Sequence, residues 1–440
     1  MKLRRNASMT FEHSMLRTAT LCLIALGAIM VYSSSSGTSL LSHGDSFYFL
    51  KRYVASALLG LIALGVMSRI GLDGLKRLAP TLLAVSIGGL ALVLLPGFGI
   101  EVNGARRWLG AGPLQIQPSE LAKLALVLYA ASLIATRPER TRSLHGARPL
   151  LLVSGAMAGL IILEPDMGTA VVICLTLGAM LVVGGIKVRH LLGLVGLLAL
   201  AALVFSLAEP YRRARLVAFL DPWADTQGSG FQSVQAMIAI GSGGFFGVGL
   251  GESVQKLFYL PEAHTDMILA VIGEELGLAG ISGVLFLYGM IAYAGLSAAR
   301  KAKDLYSKLV AAGITSVIVL QATINFFAVL GVLPLTGVPL PFISYGNSNL
   351  IVLLAGMGVL CNIAQRSAPA KAKPRSKGAA KGRRPAPLRL VDGGRPPGRR
   401  KEARPLRAIR KLADGQDRDR SRRDRRPRRA GARDRRRAAG

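Results

Sequence analysis

The chain has 440 residues, of which 51% are apolar, and its mean hydropathy is +0.43. This composition places it in the membrane class rather than among ordinary soluble domains. The formal net charge of +31 is concentrated at one end, because residues 366–440 hold 29 Lys and Arg against 7 Asp and Glu. The three cysteines lie in separate apolar runs without metal-ligand or disulfide spacing, so they are predicted to be packing residues.

Ten stretches are long and apolar enough to cross a bilayer core of ~30 Å, which requires about 20 residues. The first resembles a signal peptide but lacks an A-x-A-like cleavage site, so we expect it to be retained. The predicted fold class is therefore all-α, a polytopic membrane protein with about ten transmembrane helices. The predicted spans are 16–35, 52–69, 78–97, 119–136, 149–164, 168–186, 189–208, 274–299, 307–331 and 348–365.

The positions of Lys and Arg in short loops predict the orientation. Alternate loops are rich in these residues and are assigned, with both termini, to the cytoplasm. The predicted organisation is a cytoplasmic N-terminus (1–15), a membrane domain (16–365) and a disordered Arg-rich cytoplasmic tail (366–440). The other loops are assigned to the outer side: 36–51, 98–118, 165–167, 209–266 and 332–347.

Basic residues on the outer side work against this orientation and therefore need another explanation. They are Arg106 and Arg107, next to Trp108, and a second group of Arg212, Arg213 and Arg215. One interpretation is anchoring to lipid headgroups at the membrane interface. The other is binding of an anionic substrate such as a phosphate, which Arg forks recognise well.

Polar residues at the start of the fourth span and in the turn before the sixth also have a structural and a functional interpretation. Pro118 and Ser119 are suited to starting and capping a helix, and Glu120 suits its positive end. Lys123 either extends to the interface or contacts a phosphate or carboxylate in a cavity. The acids of the turn Glu164-Pro165-Asp166 are either solvated or line a polar, cation-binding cavity.

The loop from Glu209 to Thr265 has 57 residues, and loops of this length are usually functional. It contains Phe231–Ile240, predicted to be an amphipathic or re-entrant helix, and a glycine-rich segment suited to tight turns. It ends in Ser253–Gly277, where Glu262, Asp266, Glu274 and Glu275 fall within fourteen residues. Charge beside a bilayer core is costly, so such residues are functional candidates by default.

Asp266 is the central candidate of this stretch. It is predicted either to cap the following helix or to act as a general base on the outer side. That helix, Met267–Ala299, would be roughly 50 Å long if unbroken, so it must project or break near Gly277 and Gly280. In the last outer loop, 333–350, Ser344 and its polar neighbours offer uncharged hydrogen bonds suited to a sugar; the alternative is that Ser348 or Asn347 caps the next helix.

Five stretches between residues 103 and 346 resemble, in the family's order, the SEDS family of bacterial cell-wall proteins, the FtsW/RodA group. They include NGARRWLGAGPLQIQPSELAK, EPDMGTAVV, VQKLFYLPEAHTD and GVLPLTGVPLPFISYG. The form VQKLFYLPEAHTD is more similar to the division branch, FtsW, than to the elongation branch, RodA. The sequence departs from the family at Asn347 and Asn349, where members usually have glycine and serine.

The resemblance implies a peptidoglycan glycosyltransferase that polymerises lipid II. It implies a location in the cytoplasmic membrane at the division septum, and a class B penicillin-binding protein and other divisome proteins as partners. It implies that Asp266 is essential to catalysis. A divalent cation, Mg or Mn, is an expected cofactor, and anionic lipids or an acidic partner are expected for the tail rather than nucleic acid. The predicted substrate-binding residues are Arg107, Trp108, Glu120, Lys123, Asp166, Arg213, Lys256, Glu262, His264 and Ser344.

Two other functions are compatible with the sequence. A lipid II flippase would require a polar path through the cytoplasmic half, whereas the unexplained charges lie on the outer side. A non-catalytic divisome scaffold would act through the tail and loops, and it predicts that an Asp266 variant still supports division.

Overall fold

Long apolar helices make up most of the structure, which is a computed structural model. It describes residues 10–102, 105–111, 114–193, 195–196, 217–257 and 259–367. Among these residues, eight helices are long and apolar enough to span a membrane: α1, α2, α3, α4, α6, α9, α10 and α11. The predicted all-α polytopic fold is therefore confirmed. The helices are α1 (Phe11–His43), α2 (Tyr48–Met67), α3 (Leu72–Leu94), α4 (Pro118–Thr136), α5 (Pro138–Thr141), α6 (Leu144–Leu163), α7 (Met167–Val183), α8 (Phe231–Gly243), α9 (Ile268–Lys301), α10 (Leu305–Val329) and α11 (Asn347–Arg366).

The predicted spans correspond to these helices with two differences. The sixth, 168–186, is α7, which has only 17 residues. The seventh, 189–208, lies mostly outside the described residues, as do Arg212, Arg213, Arg215 and the tail from residue 368. The predicted helix at Phe231–Ile240 is present as α8.

The core is centred on α4, α10 and α11, most of whose residues are buried, whereas fewer than a third of the residues of α2 and α3 are buried. The apolar residues of α4 and α10 are distributed around the helix without a strong one-sided pattern, as expected for helices surrounded by protein. Helix α1 packs into the same core through Leu16, Leu23 and Met30, each fully buried. It is thus an integral part of the bundle.

A small antiparallel sheet occupies the predicted outer loop 98–118, and the sequence reasoning missed it. Its strands are β1 (Ile100–Val102), β2 (Ala105–Ala111) and β3 (Leu114–Ile116), in the order β1-β2-β3. Trp108 lies opposite Ile100, and Leu109 opposite Ile116. The sheet leads directly into α4, whose first residue is Pro118, as predicted, although Gln117 rather than Ser119 is the cap residue.

The loops separate into two ends of the bundle. At one end, Glu12 pairs with Lys301, Thr10 Oγ1 donates to the Ala364 carbonyl at 3.3 Å, and Asn362 Nδ2 donates to the Ile70 carbonyl at 2.6 Å. The segments 105–117, 164–168, 259–267 and 333–348 contact one another at the other end, here called the site face. This grouping matches the predicted division into cytoplasmic and outer segments.

Helix α9 is interrupted at Gly277, where φ is 64° and ψ is −162°, so the predicted break is confirmed. The break removes helical hydrogen bonds, and the glycine-rich loop after α8 replaces them. The amides of Val248 and Gly249 donate to the carbonyls of Glu274 and Glu275 at 2.9 and 3.1 Å. The amides of Leu278 and Ala279 donate to Gly244 and Phe245, both at 3.0 Å. Four backbone groups of α9 at the break thus have partners in this loop, as irregular backbone at membrane depth requires.

The loop before α11 is irregular backbone buried inside the bundle. Its apolar side chains are buried, as predicted for an uncharged loop that lies at membrane depth against protein. They are Val338, Leu340, Phe342 and Ile343. The hydroxyl of Tyr53 donates to the Phe342 carbonyl at 2.6 Å, and helix α9 contributes a tyrosine hydroxyl to the Pro341 carbonyl. Side chains of the surrounding helices thus replace the missing secondary-structure bonds.

The conformation at Gly277 leads to a testable prediction. Its φ and ψ lie in a region that only glycine adopts readily, at a cost of about 1–3 kcal/mol for other residues. A Cβ there would also overlap the Gly247 amide and lie 2.6 Å from the Phe245 carbonyl. We expect Gly277→Ala to lower the free energy of unfolding by more than ~2 kcal/mol, measured by thermal unfolding in detergent.

Gly283 provides the matched control, because it lies on the same helix and an added Cβ meets no atom within 4 Å. Gly283→Ala should leave the transition unchanged or raise it slightly, since alanine favours a helix. Equal behaviour of the two variants would contradict the role assigned to the break.

Candidate functional site

Asp266 stands directly before helix α9 and is partly exposed at the site face. The helix-cap alternative is wrong, since Met267 is the cap residue of α9 and no side chain caps the helix there. Instead, the Asp266 carbonyl accepts a hydrogen bond of 2.7 Å from Asn325 Nδ2. The carboxylate lies beside the Thr265 hydroxyl, with 3.2 Å between Oγ1 and Oδ1. The backbone of Asp266 is therefore held from the neighbouring helix α10.

Asn325 also joins Asp266 to the last outer loop, because its Nδ2 donates to the Val338 carbonyl at 2.9 Å. The neighbouring Gly337 adopts a φ of 68°, and a Cβ there would lie 3.8 Å from Asp266 Oδ2. Asn325 is almost completely buried. The sequence analysis did not select it, although an amide in the middle of an apolar span is a recognisable signal of a structural or functional role.

His264 lies in an aromatic cluster next to Asp266. Its ring is 4.3 Å from that of Phe49 and 5.6 Å from that of Tyr345, measured between centroids. The Tyr345 amide donates to the His264 carbonyl at 2.9 Å. Burial lowers the pKa of His264, only partly opposed by the charge of Glu262, so the imidazole is neutral at pH 7. His264 therefore cannot provide a permanent positive charge at the site.

Glu262 and Asp266 approach the same hydroxyl group. Thr265 Oγ1 lies 2.8 Å from Glu262 Oε2 and 3.2 Å from Asp266 Oδ1. Glu262 has a φ of 54°, which is uncommon for a residue with a side chain and often marks a functional segment. Glu262 and Asp266 thus lie close together, and the roles predicted for them and for His264 stay predictions.

Arg107 holds the turn between α6 and α7 rather than extending into solvent. Its Nε donates to the Glu164 carbonyl at 2.9 Å, and Nη2 donates to the Pro165 carbonyl. Asp166 caps α7, where Oδ1 accepts from the Thr169 amide at 3.0 Å. The following Gly168 packs so closely on Thr336 and Val338 that a Cβ would overlap them. Arg107 and Asp166 are therefore connected to the loop beside Asp266.

Glu164 and Asp166 are both buried, so the alternative that these acids are solvated is wrong. Glu164 is fully buried, and neither carboxylate oxygen has a hydrogen-bond partner among the residues that the structure describes. Burial and the charge of Asp166 raise the pKa of Glu164 to about 8, although Arg107 opposes this. Glu164 is thus mostly protonated at neutral pH, and its site is suited to a neutral carboxylic acid.

Glu120 and Lys123 form a buried ion pair one turn apart on α4, with 2.9 Å between the ammonium and the carboxylate. Both side chains are only 2% exposed, so the alternative that Lys123 extends to the interface is wrong. A cavity of about 20 Å³ adjoins the pair and is otherwise lined by apolar residues of α4, α10 and α11. A space of this size is large enough for one water molecule.

The four carboxylates between residues 262 and 275 do not form one group. Glu262 and Asp266 lie at the site face, whereas Glu274 and Glu275 are buried at the break in α9. Lys256 belongs to the second group, because its Nζ lies 2.7 Å from Glu275 Oε1. The sequence stretch therefore supplies two separate polar clusters.

The remaining predicted residues are dispersed. The Ser344 hydroxyl accepts from the Leu340 amide at 2.8 Å and is buried within the last loop. Trp108 is partly buried on β2, and Arg213 lies outside the described residues. Asn347, which departs from the family pattern, accepts a hydrogen bond of 2.9 Å from Ser56 through Oδ1.

The described residues do not provide a ready-made metal centre, since no three His, Cys, Asp or Glu side chains in them are grouped as ligands. The acids that were candidates have other partners: Glu120 pairs with Lys123, and Asp166 caps α7. They therefore do not fit a bound divalent cation as they stand. The predicted cation stays a prediction, and no reaction step is assigned to it here.

These features define a polytopic membrane protein whose polar site is assembled from loops at one face of the bundle. The sequence profile of the family described as Cell cycle protein, FTSW_RODA_SPOVE, matches residues 13–368. The chain belongs to this family, so the predicted family is confirmed.

Two relatives illustrate the similarity. A protein of Thioalkalivibrio sulfidiphilus named probable peptidoglycan glycosyltransferase FtsW is 44% identical over 353 residues, which cover 79% of this chain and 88% of that protein. Stage V sporulation protein E of Bacillus subtilis is 40% identical over 351 residues, which cover 79% and 95%.

Solved structures agree. One of them is a chain of a peptidoglycan synthase complex whose description refers to the coordination of polymerization and crosslinking. It is 35% identical to this chain with a TM-score of 0.66, and the match covers 80% of this chain and 97% of that one. The rod shape determining protein RodA of Thermus thermophilus is 30% identical, with a TM-score of 0.60 and the same coverage.

The raised pKa of Glu164 leads to a pH prediction. Between its ordinary value of 4.5 and about 8, the folded protein keeps a proton that the unfolded chain releases. The free energy of unfolding should therefore fall as the pH rises through this window. In Glu164→Gln this part of the pH dependence should disappear, as measured by thermal unfolding in detergent between about pH 5 and about pH 8.

Glu139→Gln is the control, because Glu139 is an exposed acid paired with Arg142. It should retain the pH dependence of the original protein. A Glu164→Gln variant with the same pH dependence as the original would contradict the assignment of a protonated Glu164.

Proposed function

We propose that this protein is a peptidoglycan glycosyltransferase that polymerises lipid II, with Asp266 as the general base. The observation that carries the proposal is the position of Asp266. Its carboxylate is partly exposed where the loops before α9 and α11 meet, while its backbone is fixed by Asn325. The names of the relatives, which describe a peptidoglycan glycosyltransferase and a peptidoglycan synthase complex, support this activity.

The proposed reaction is a single displacement at the anomeric carbon of the donor. A sugar hydroxyl of the acceptor attacks this carbon and transfers its proton to Asp266, while the bond to undecaprenyl pyrophosphate breaks. The configuration inverts from the α-linked donor to a β-1,4 product. Pyrophosphate is a good leaving group, so a positioned base is the principal requirement, and such a base contributes typically about 10²–10⁴-fold.

Among the described cations predicted to bind the substrate, Arg107 is proposed to contact the leaving diphosphate. A guanidinium has five N–H donors, and the carbonyls of Glu164 and Pro165 take two of them. By contrast, Lys123 and Lys256 are buried in ion pairs with glutamates. Arg213, predicted for the same role, stays a prediction, as does a divalent cation.

The site face is proposed to be the outer side of the cytoplasmic membrane, with both termini in the cytoplasm and the protein at the division septum. The distribution of Lys and Arg among the loops supports this orientation. A class B penicillin-binding protein is the proposed partner, and other divisome proteins are further ones. Anionic lipids or an acidic partner are proposed for the tail, whose excess positive charge suits them.

Asp266→Asn tests the proposal, because the amide cannot accept the proton but keeps the shape. We expect polymerisation of labelled lipid II, with the partner transpeptidase present, to fall by about 10²-fold or more while thermal stability is unchanged. Asp45→Asn is the control, since Asp45 is a partly exposed acid paired with Lys51. Undiminished polymerisation by Asp266→Asn would remove Asp266 from the mechanism, and lipid II translocation without glycan products would favour a flippase.

A further inference from the structure

Two adjacent glutamates of α9, next to its break, anchor the segment that leads to Asp266. Glu274 Oε2 accepts from the Ser253 hydroxyl at 2.5 Å, and Oε1 accepts from the Val254 amide at 3.0 Å. Glu274 and Ser253 are both almost completely buried. The start of the segment is therefore tied directly to the helix that follows Asp266.

Glu275 forms the second anchor. Its carboxylate lies 2.7 Å from Lys256 Nζ and accepts from the Ser33 hydroxyl of α1 at 2.6 Å. Lys256 Nζ also donates to Ser33 Oγ at 3.1 Å and to the Gly251 carbonyl at 2.6 Å. The side chains of Lys256 and Glu275 are 9% and 0% exposed. The ammonium is thus saturated with protein partners rather than directed toward a substrate.

These contacts close the chain into a loop with Asp266 in its middle. Residues 253–256 begin the loop, Glu274 and Glu275 end it, and Asp266 follows Lys256 by ten positions and precedes Glu275 by nine. Leu260 and Ala263, between the anchor and Asp266, are buried in the core. Movement of residues 253–256 would therefore be transmitted to Asp266.

We propose that the buried Lys256–Glu275 pair, with Ser33 and the Ser253–Glu274 contact, is a positioning device that sets the location of Asp266. This inference rests on the proposed function, in which Asp266 is the base. The pair touches neither the substrate nor the reacting atoms. It acts by holding both ends of the loop, so its loss lowers turnover without weakening substrate binding.

The discriminating experiment compares Lys256→Met with the double variant Lys256→Met/Glu275→Gln in polymerisation of labelled lipid II, with the partner transpeptidase present. Lys256→Met leaves a buried carboxylate without its cation, whereas the double variant restores a neutral pair, which buried sites tolerate well. We expect kcat of Lys256→Met to fall about 10- to 100-fold with KM unchanged, because a small displacement of a catalytic group is enough for such a loss. The double variant should recover to within about threefold of the original protein.

Lys301→Met is the matched control, since it removes an ion pair at the opposite end of the same helix, with Glu12. It should change kcat by less than about twofold. Hydrogen exchange of residues 253–267 gives a second readout and should accelerate in Lys256→Met but not in Lys301→Met. If Lys256→Met does not fold, Ser253→Ala replaces it, with the same expected loss of kcat at constant KM.

Three results would overturn the inference. Full activity of both Lys256→Met and Ser253→Ala would show that the anchor does not position Asp266. A raised KM that the double variant does not recover would make Lys256 a substrate contact. Unchanged exchange of residues 253–267 alongside lost activity would exclude positioning. If Asp266→Asn itself remains active, the proposed function fails instead, so the two failures are distinguishable.

Discussion

The need to satisfy every backbone hydrogen bond in a low-dielectric interior shapes the functional half of this protein. Irregular backbone survives at membrane depth only where protein groups replace the lost partners. At the break of α9 these are the amides and carbonyls of residues 244–249, and in the loop before α11 they include the Tyr53 hydroxyl and the Asn325 amide. The irregular segments that form the site are thus rigid rather than loose.

This rigidity gives the partly exposed Asp266 a defined position. The segment around Asp266 is held at three points: Asn325 of α10 binds its backbone, His264 packs in an aromatic cluster, and Ser253 anchors the residues that lead to it. A general base needs correct geometry before it needs an unusual pKa. The surrounding structure supplies that geometry by packing and hydrogen bonds.

The buried charges serve the same architecture. Glu120 with Lys123, and Glu275 with Lys256, are ion pairs with little exposed surface, and removing one partner of such a pair is costly. Within the described part of the chain, Glu164 is buried without a cation partner that neutralises it, and its raised pKa keeps the carboxyl group protonated instead. The basic residues predicted to bind the substrate therefore have different roles. Lys123 and Lys256 form structural ion pairs, whereas Arg107 lies at the site face.

The sequence by itself determined the membrane class, nearly all the described spans, the break near Gly277 and the grouping of loops into two sides, because these follow from hydropathy, charge and glycine. It also singled out Asp266. Only the tertiary structure decided which polar residues meet. Their spacing along the chain grouped Glu274 with Asp266, but the folded structure separates these two residues. It instead pairs Lys256 with Glu275, and Asn325 with the Asp266 backbone. The small sheet and these pairings depend on contacts between distant segments, which local sequence patterns do not encode.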